Sequence, residues 1–323
     1  MSKLIIILIA VTIISILYLR NINGNTVVYK EEPILDDRDS NVINRVNNDK
    51  LNIWLYCNDE NYDFKMNWRY PLLKYNYTIP FEKLCIDTFI KNFMAYDVDI
   101  IVLNRNNIYD YVPDFPIRMK HSGYPQKKVI DLLGAHVLEK YGGLWISPYT
   151  VVLNKDYNQL ISNVRNNDVV TFGTSPNIDN CSPKYDAVNN SIIGGRKGSD
   201  VMVSYKSLMN AFIFSDQYEY MYNHVNNDPE PLGEAIKYSK PTHIHYTCST
   251  DGSFNMNDRR IHVDEFLGKV PLQFNDPEQL LFISFPYREL DVYTNYRWIY
   301  TTPLPELLTS GISIVEVAKQ QLI

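Results

Sequence analysis

The first pattern along the chain is a run with no charge in it. From Leu4 to Leu19 every residue is uncharged and Ile and Leu dominate, with Lys3 and Arg20 at the two ends. At about 1.5 Å of rise per residue, a helix over this run falls slightly short of a hydrocarbon core of about 30 Å. Tyr18 and the long stems of Lys3 and Arg20 make up the difference. Tyr18-Leu19-Arg20-Asn21 offers no small-x-small cleavage site, so residues 1–20 read as an uncleaved, single-pass transmembrane signal-anchor. Positive charge flanks both ends and sets orientation only weakly. The expectation is a short cytoplasmic N-terminus with the domain lumenal or extracytoplasmic. Residues 21–50 are polar, with Glu31-Glu32-Pro33 and Asp36-Asp37-Arg38-Asp39, and show no sustained apolar period. They read as a stem, in which Asp37-Arg38-Asp39 is solvated charge.

Beyond the stem the apolar pattern changes to that of a folded domain, expected over 51–323. Leu51–Tyr56 is a short apolar run typical of a buried strand, and a helix over Phe81 to Phe93 places Leu84, Cys85, Phe89 and Phe93 near one face. Val98–Leu103 is β-branched and too short for a helix. A second helix is predicted from Gln126 to Lys140, ended by Tyr141-Gly142-Gly143, because Gly enters the left-handed region without steric cost. Leu144-Trp145-Ile146 resumes as strand. Val169–Phe172 and Ser191–Ile193 follow as further strands, and Ser199 is placed to cap a helix through Phe214. From Gly233 onward the pattern weakens into mixed strand, turn and short helix. Strands alternating with helices at this spacing predict parallel βαβ units and an α/β fold.

Composition narrows this picture modestly. Of 323 residues, about 270 remain after anchor and stem, enough for one large or two small domains. A net charge of -6 argues against nucleic acid as a partner, since such binders usually carry a basic face. The 25 Tyr outnumber the 13 Gly. Tyr rings pack on sugar faces while their hydroxyls hydrogen-bond, but biased coding composition is the better explanation of the count. Cys57, Cys85, Cys181 and Cys248 form no CxxC pair, which excludes a zinc ribbon and leaves two disulfides or buried thiols open. Sequons at Asn76, Asn180 and Asn189 are compatible with a glycoprotein in a secretory lumen, and also with chance in an Asn-rich chain.

The chemistry is expected beyond the carboxyl ends of the strands, where strand order switches. No P-loop, Gly-x-Gly-x-x-Gly or Ser-His-Asp order appears. Asp97-Val98-Asp99 enters a strand at its amino end and reads as turn chemistry. His243-Ile244-His245 alternates with period two, which puts both imidazoles on one strand face, either as metal ligands or as surface. Arg196-Lys197 and Arg259-Arg260 are cations able to meet a diphosphate, or simply solvated charge.

The string Val129-Ile130-Asp131-Leu132-Leu133-Gly134, then Leu138 and Tyr141-Gly142-Gly143-Leu144-Trp145-Ile146, resembles the core of capsular-polysaccharide-synthesis and related sugar-transfer enzymes. The resemblance covers about Leu51 to Phe212. It implies a GT-A-like nucleotide-sugar-binding fold, a Rossmann-like mixed sheet flanked by helices. It also implies that Asp131 faces the nucleotide of the donor, that Gly142 and Gly143 form a turn allowing close backbone approach, and that Ser147 and Tyr149 line the donor site. Asp186 is implied as an acceptor-side candidate. Two departures stand out. The family Arg falls on Gly134, and the family Asp-x-Asp falls on Ser147-Pro148-Tyr149. The Mn or Mg ion that the family implies bridges the donor diphosphate, yet its carboxylate ligands are not evident, and neutral hydroxyls bind a hard cation poorly. The resulting expectation is a membrane-anchored glycosyltransferase moving a hexose from a nucleotide-sugar to a glycan or protein acceptor. Two alternatives stand beside it: an inactive transferase-fold protein with a glycan-binding or structural role, and a plain α/β domain with a fortuitous motif.

Overall fold

Alternating apolar positions in the strands sort onto two faces of one sheet. Ile53, Leu55, Leu144, Ile146, Val170, Phe172 and Ile192 belong to one apolar cluster, and Trp54, Tyr56, Trp145, Val169 and Ile193 to the other. That is the period-two alternation of a sheet covered on both sides. The computed structural model describes residues 50–57, 79–104, 107–116, 126–173, 188–213, 231–248, 261–274, 277–286, 290 and 294–323, all within the unit Ser40–Ile323. The expected anchor at Leu4–Leu19, the stem with Asp37-Arg38-Asp39, Cys181, Asp186, Arg259-Arg260 and the sequons at Asn76 and Asn180 lie outside the described residues. No helix among the described residues is long and apolar enough to cross a membrane.

The main sheet contains β1 (Leu51–Tyr56), β2 (Val98–Leu103), β3 (Gly143–Ile146), β5 (Val169–Gly173), β6 (Val188–Gly195) and β7 (Ile244–Cys248), in the order β2-β1-β3-β6-β5-β7. The parallel pairing expected from the strand–helix alternation holds for β1 with β2, β1 with β3, and β5 with β7. β6 runs antiparallel to both β3 and β5, so the sheet is mixed. Every residue of β1 is buried, as suits a central strand.

Helix α1 (Pro80–Phe93) starts on a proline, whose missing N–H costs nothing in a first helical turn. It buries Phe81, Leu84, Cys85, Phe89 and Phe93, the face read from the sequence. Burying one such aromatic stabilises by about 1.5–3 kcal/mol. Burial pushes the Cys85 thiol pKa up, so it is a buried free thiol and not a nucleophile. A short α2 (Ile108–Tyr111) follows β2. Helix α3 (Gln126–Tyr141) packs on β1, β3 and β6. Helix α5 (Asp200–Ile213) is capped by Ser199, whose Oγ accepts the Met202 N–H at 3.4 Å, as the sequence predicts. It packs on α3 and on α6 (Pro231–Ser239).

Three features escape the hydrophobic pattern. β4 (Thr150–Val152) pairs antiparallel with β8 (Phe282–Ser284) as a separate small sheet, and strands of three residues show no readable period. Helix α4 (Asn158–Asn166) is Asn-rich, which masks its buried Leu160, Ile161 and Val164. The C-terminal segment adds a short α7 (Val263–Phe266), a 3₁₀ helix (Thr294–Tyr300), α8 (Leu304–Thr309) and α9 (Ser313–Leu322), with α8, α9 and the 3₁₀ helix all packed on α1.

The abundant Tyr residues also find a role here. Tyr56, Tyr149, Tyr157 and Tyr205 are all buried. Tyr157 packs its ring 4.5 Å from Phe93 and donates to the carbonyls of Leu153 and Leu281 at 2.6 and 2.9 Å. At Tyr157 the hydroxyl satisfies main-chain acceptors inside the core.

Candidate functional site

The chain leaves β1 to form β2 on one side, then crosses back through α3 to form β3 on the other side of β1. The strand order therefore reverses between β1 and β3, and the crevice that such a reversal opens lies beyond their carboxyl ends. Tyr56 and Cys57 end β1 there, and Ile146 and Ser147 end β3. The carboxyl ends of β5 and β7 lie at the same edge, since β5 and β7 are parallel and β6 runs antiparallel to both β3 and β5.

Asp131 sits in α3 and is 6% exposed, so it is not a solvent-facing helix residue. Its height follows from packing. A Cβ on Gly134 would lie 2.8–2.9 Å from the Trp145 indole, so Gly134 is level with the third residue of β3. Asp131 lies one turn earlier on the same stripe, about 4.5 Å closer to the carboxyl edge. The structure therefore places Asp131 and Ser147 at the same end of the β1–β3 reversal.

Ser147 prolongs the strand ladder by donating its N–H to the Ser191 carbonyl at 2.7 Å. The chain then turns: Thr150 N–H closes on the Ser147 carbonyl at 3.1 Å, with Pro148 at the second position, where its fixed φ is favoured. The Tyr149 N–H faces Ser147 Oγ at 3.5 Å. Ser147 is 2% exposed and Tyr149 4%. The Tyr149 ring meets Tyr300 edge-on, with centroids 6.1 Å apart, and its carbonyl accepts the Phe285 N–H at 3.0 Å. This contact with the 3₁₀ helix is one that sequence reasoning missed. Residues i and i+3 eclipse in a 3₁₀ helix, so Arg297 shares the stripe of Tyr300, held by its Nε to the Leu290 carbonyl at 3.0 Å. The nearest signal is the aromatic cluster Tyr296-Arg297-Trp298-Ile299-Tyr300 itself.

Gly142 and Gly143 stand at the amino end of β3, opposite Ser147. Gly142, at φ +69°, caps α3 by donating to the Leu138 carbonyl at 2.9 Å, and its own carbonyl accepts from Trp54 Nε1 at 2.8 Å. A Cβ on Gly143 would lie 2.2 Å from the Asn52 carbonyl oxygen. The close approach that these glycines permit is between segments of the chain itself, and the structure does not bring them to the carboxyl edge. Arg196 and Lys197 share that amino edge. Arg196 pairs with Asp168, which directly precedes β5, and Lys197 packs its backbone beside Gly142. Asp97 bonds Lys50 at 2.8 Å before β2 begins, as its turn assignment anticipates. The structure assigns the two histidines different partners. β7 begins at Ile244, so His243 precedes it and bonds Asp168 through its backbone, while the His245 ring contacts the Asn163 amide at 3.0 Å. Among the described residues no group of three or more His, Cys, Asp or Glu could hold a metal ion.

Residues 82–227 match the family of capsular polysaccharide synthesis proteins. The matched stretch is under half of the chain and runs from α1 through α5, so it includes Asp131, the glycine pair and the Ser147 turn. The capsular-synthesis resemblance read from the Asp131–Ile146 string thus holds. No curated protein matches the chain. Among solved structures, it is similar to the glycosyltransferase GlyE of Streptococcus pneumoniae TIGR4, at TM-score 0.31 and 10% identity over 61% of this chain and 45% of that one. The PaToxG glycosyltransferase gives 0.32 and 13% over 58% and 69%, and the galactosyltransferase LgtC gives 0.29 and 9% over 64% and 75%. The chain spans less than half the length of GlyE.

Proposed function

We propose that this chain is a glycosyltransferase of GT-A-like fold that binds a nucleotide-sugar at the carboxyl edge of β1 and β3 and passes its hexose to a glycan or protein acceptor. The single observation that carries the reading is the capsular-polysaccharide-synthesis match over 82–227, which includes α3, β3 and the Ser147 turn. Asp131 takes the ribose or base edge of the donor, because a carboxylate accepts hydrogen bonds from paired hydroxyl or amide groups. The reaction is displacement at the anomeric carbon, with the nucleoside diphosphate as leaving group and the acceptor hydroxyl as nucleophile. An anchor at Leu4–Leu19 then holds the domain on the lumenal or extracytoplasmic side of a membrane, where glycan acceptors are found. Asp186 remains the acceptor-side candidate.

A second reading is favoured by one observation, the burial of Ser147 and Tyr149 in a closed turn. On that reading the fold retains donor or glycan binding but not transfer. Binding and turnover separate the two. A panel of nucleotide-sugars is titrated against the full chain and scored for nucleoside diphosphate release. Transfer requires saturable binding with release that an acceptor accelerates, whereas binding without release supports the second reading. Asp131→Ala is expected to weaken donor binding at least about tenfold, or about 1.4 kcal/mol. Unchanged affinity removes Asp131 from the site.

A further inference from the structure

We infer that the nucleotide site of this chain works without a divalent cation at the Ser147–Tyr149 turn. The inference rests on the nucleotide-sugar reading above, and it follows from a mismatch between what a hard cation requires and what this turn provides.

Mg²⁺ and Mn²⁺ take oxygen ligands, with one or two carboxylates as the usual protein contribution and substrate phosphates and water completing the shell. The position that the family resemblance assigns to those carboxylates supplies a serine and a tyrosine. Their orientation fits no better than their chemistry. Ser147 is committed on three sides: its N–H to Ser191, its carbonyl to Thr150, and its Oγ beside the Tyr149 N–H. Tyr149 belongs to the core cluster with Trp145 and Val151, carries its ring against Tyr300 and gives its carbonyl to Phe285. The residue after it begins β4, in register with Ser284 of β8. Pro148 locks the turn between them. The side chain at 149 is therefore an internal packing element that ties the β3 end to the C-terminal segment.

A carboxylate at 149 would be a buried charge, which costs several kcal/mol unless paired. This sequence has replaced the acid with an aromatic that stabilises the same turn by burial. The neighbouring family position is closed in the same way. Gly134 replaces the arginine, and the Trp145 indole fills the space that a side chain there would need. Both replacements exchange charge for packing, one in the turn after β3 and one on α3 against Trp145, and together they take the family's carboxylate pair and its arginine out of this site.

Two arms test this with the full chain in detergent. In the first, Mn²⁺ alone is titrated and read by loss of its free electron-paramagnetic signal. No one-to-one site is expected. A site that Ser147→Ala or Tyr149→Phe abolishes overturns the inference. In the second, UDP, GDP, ADP, CDP and dTDP are titrated with EDTA or with Mn²⁺. The affinity of whichever nucleotide binds should differ by less than about threefold between the two conditions. A gain of about tenfold or more with Mn²⁺ that Ser147→Ala removes overturns it. If none of the nucleotides binds under either condition, the nucleotide-sugar reading falls, while the Mn²⁺ arm still decides whether this turn holds a metal. The double variant Ser147→Asp with Tyr149→Asp provides the converse test. It should melt at lower temperature and gain no Mn²⁺ site, and acquiring one with unchanged melting contradicts the packing role assigned to Tyr149.

Discussion

A Cβ on Gly143 would lie 2.2 Å from the Asn52 carbonyl oxygen, and its φ of +105° lies where L side chains rarely go. Gly143→Ala must therefore either displace β1 or distort the end of α3, at a cost of about 2–4 kcal/mol. Chemical denaturation should show that loss while donor affinity, measured where the variant remains folded, stays unchanged. A selective loss of affinity with full stability would return Gly143 to the binding site. Trp54→Phe removes the bond from Nε1 to the Gly142 carbonyl and should cost about 1 kcal/mol. These residues show what a motif match in sequence leaves undecided. The Tyr141-Gly142-Gly143 spacing was legible because a helix end needs it. Which end of β3 would face a ligand was not, since that depends on strand direction and on which segments crowd the glycines. Asp131 is the reverse case: one carboxylate in a helix pattern gives no measure of its burial, and only the packing of Gly134 on Trp145 fixes its height.

Between elements, a polar cluster fastens the connection after β2 onto α3 and α5. Lys206 of α5 bonds Asp114 at 2.9 Å and Glu139 of α3 at 3.2 Å. His136 of α3, almost fully buried, faces the Asn210 side chain and stands 3.8 Å from Asp114, with the Phe115 ring at 5.5 Å. Tyr141 closes the other end by donating to the Tyr111 carbonyl at 2.7 Å. Burial pulls the His136 pKa below the ordinary histidine value, and the Lys206 charge adds to this, against the pull of Asp114, Asn210 and Glu139. Folding thus favours the neutral ring. Its contribution is fully present above about pH 6.5 and is lost as pH falls through that value towards the lower folded one. Melting temperature should drop between pH 7 and pH 5, and His136→Gln should flatten that slope. An unchanged slope in the variant assigns the pH dependence elsewhere, with His245, also lowered by burial, the next group to substitute. Strong apolar periods made α1, α3 and α5 readable from sequence, whereas β4, β8 and α4 were not. Three-residue strands carry no period, and the pairing of Val151 with Ile283 joins positions too far apart in sequence for any local pattern to show.

For the molecule as a whole, the strand order carries the functional account. Reversal of order between β1 and β3 defines one edge of the sheet, and Asp131 and the Ser147 turn lie there. Gly142, Gly143, Arg196 and Lys197 lie at the other edge, although the sequence alone grouped all of them as candidates. Hydrogen–deuterium exchange of the full chain, with and without a binding nucleotide-sugar, separates these edges directly. The account predicts added protection in peptides covering Ile130–Leu133 and Ile146–Thr150, with none at Gly142–Gly143 or Arg196–Ser199. Protection confined to the glycine pair and the Arg196 loop would contradict it.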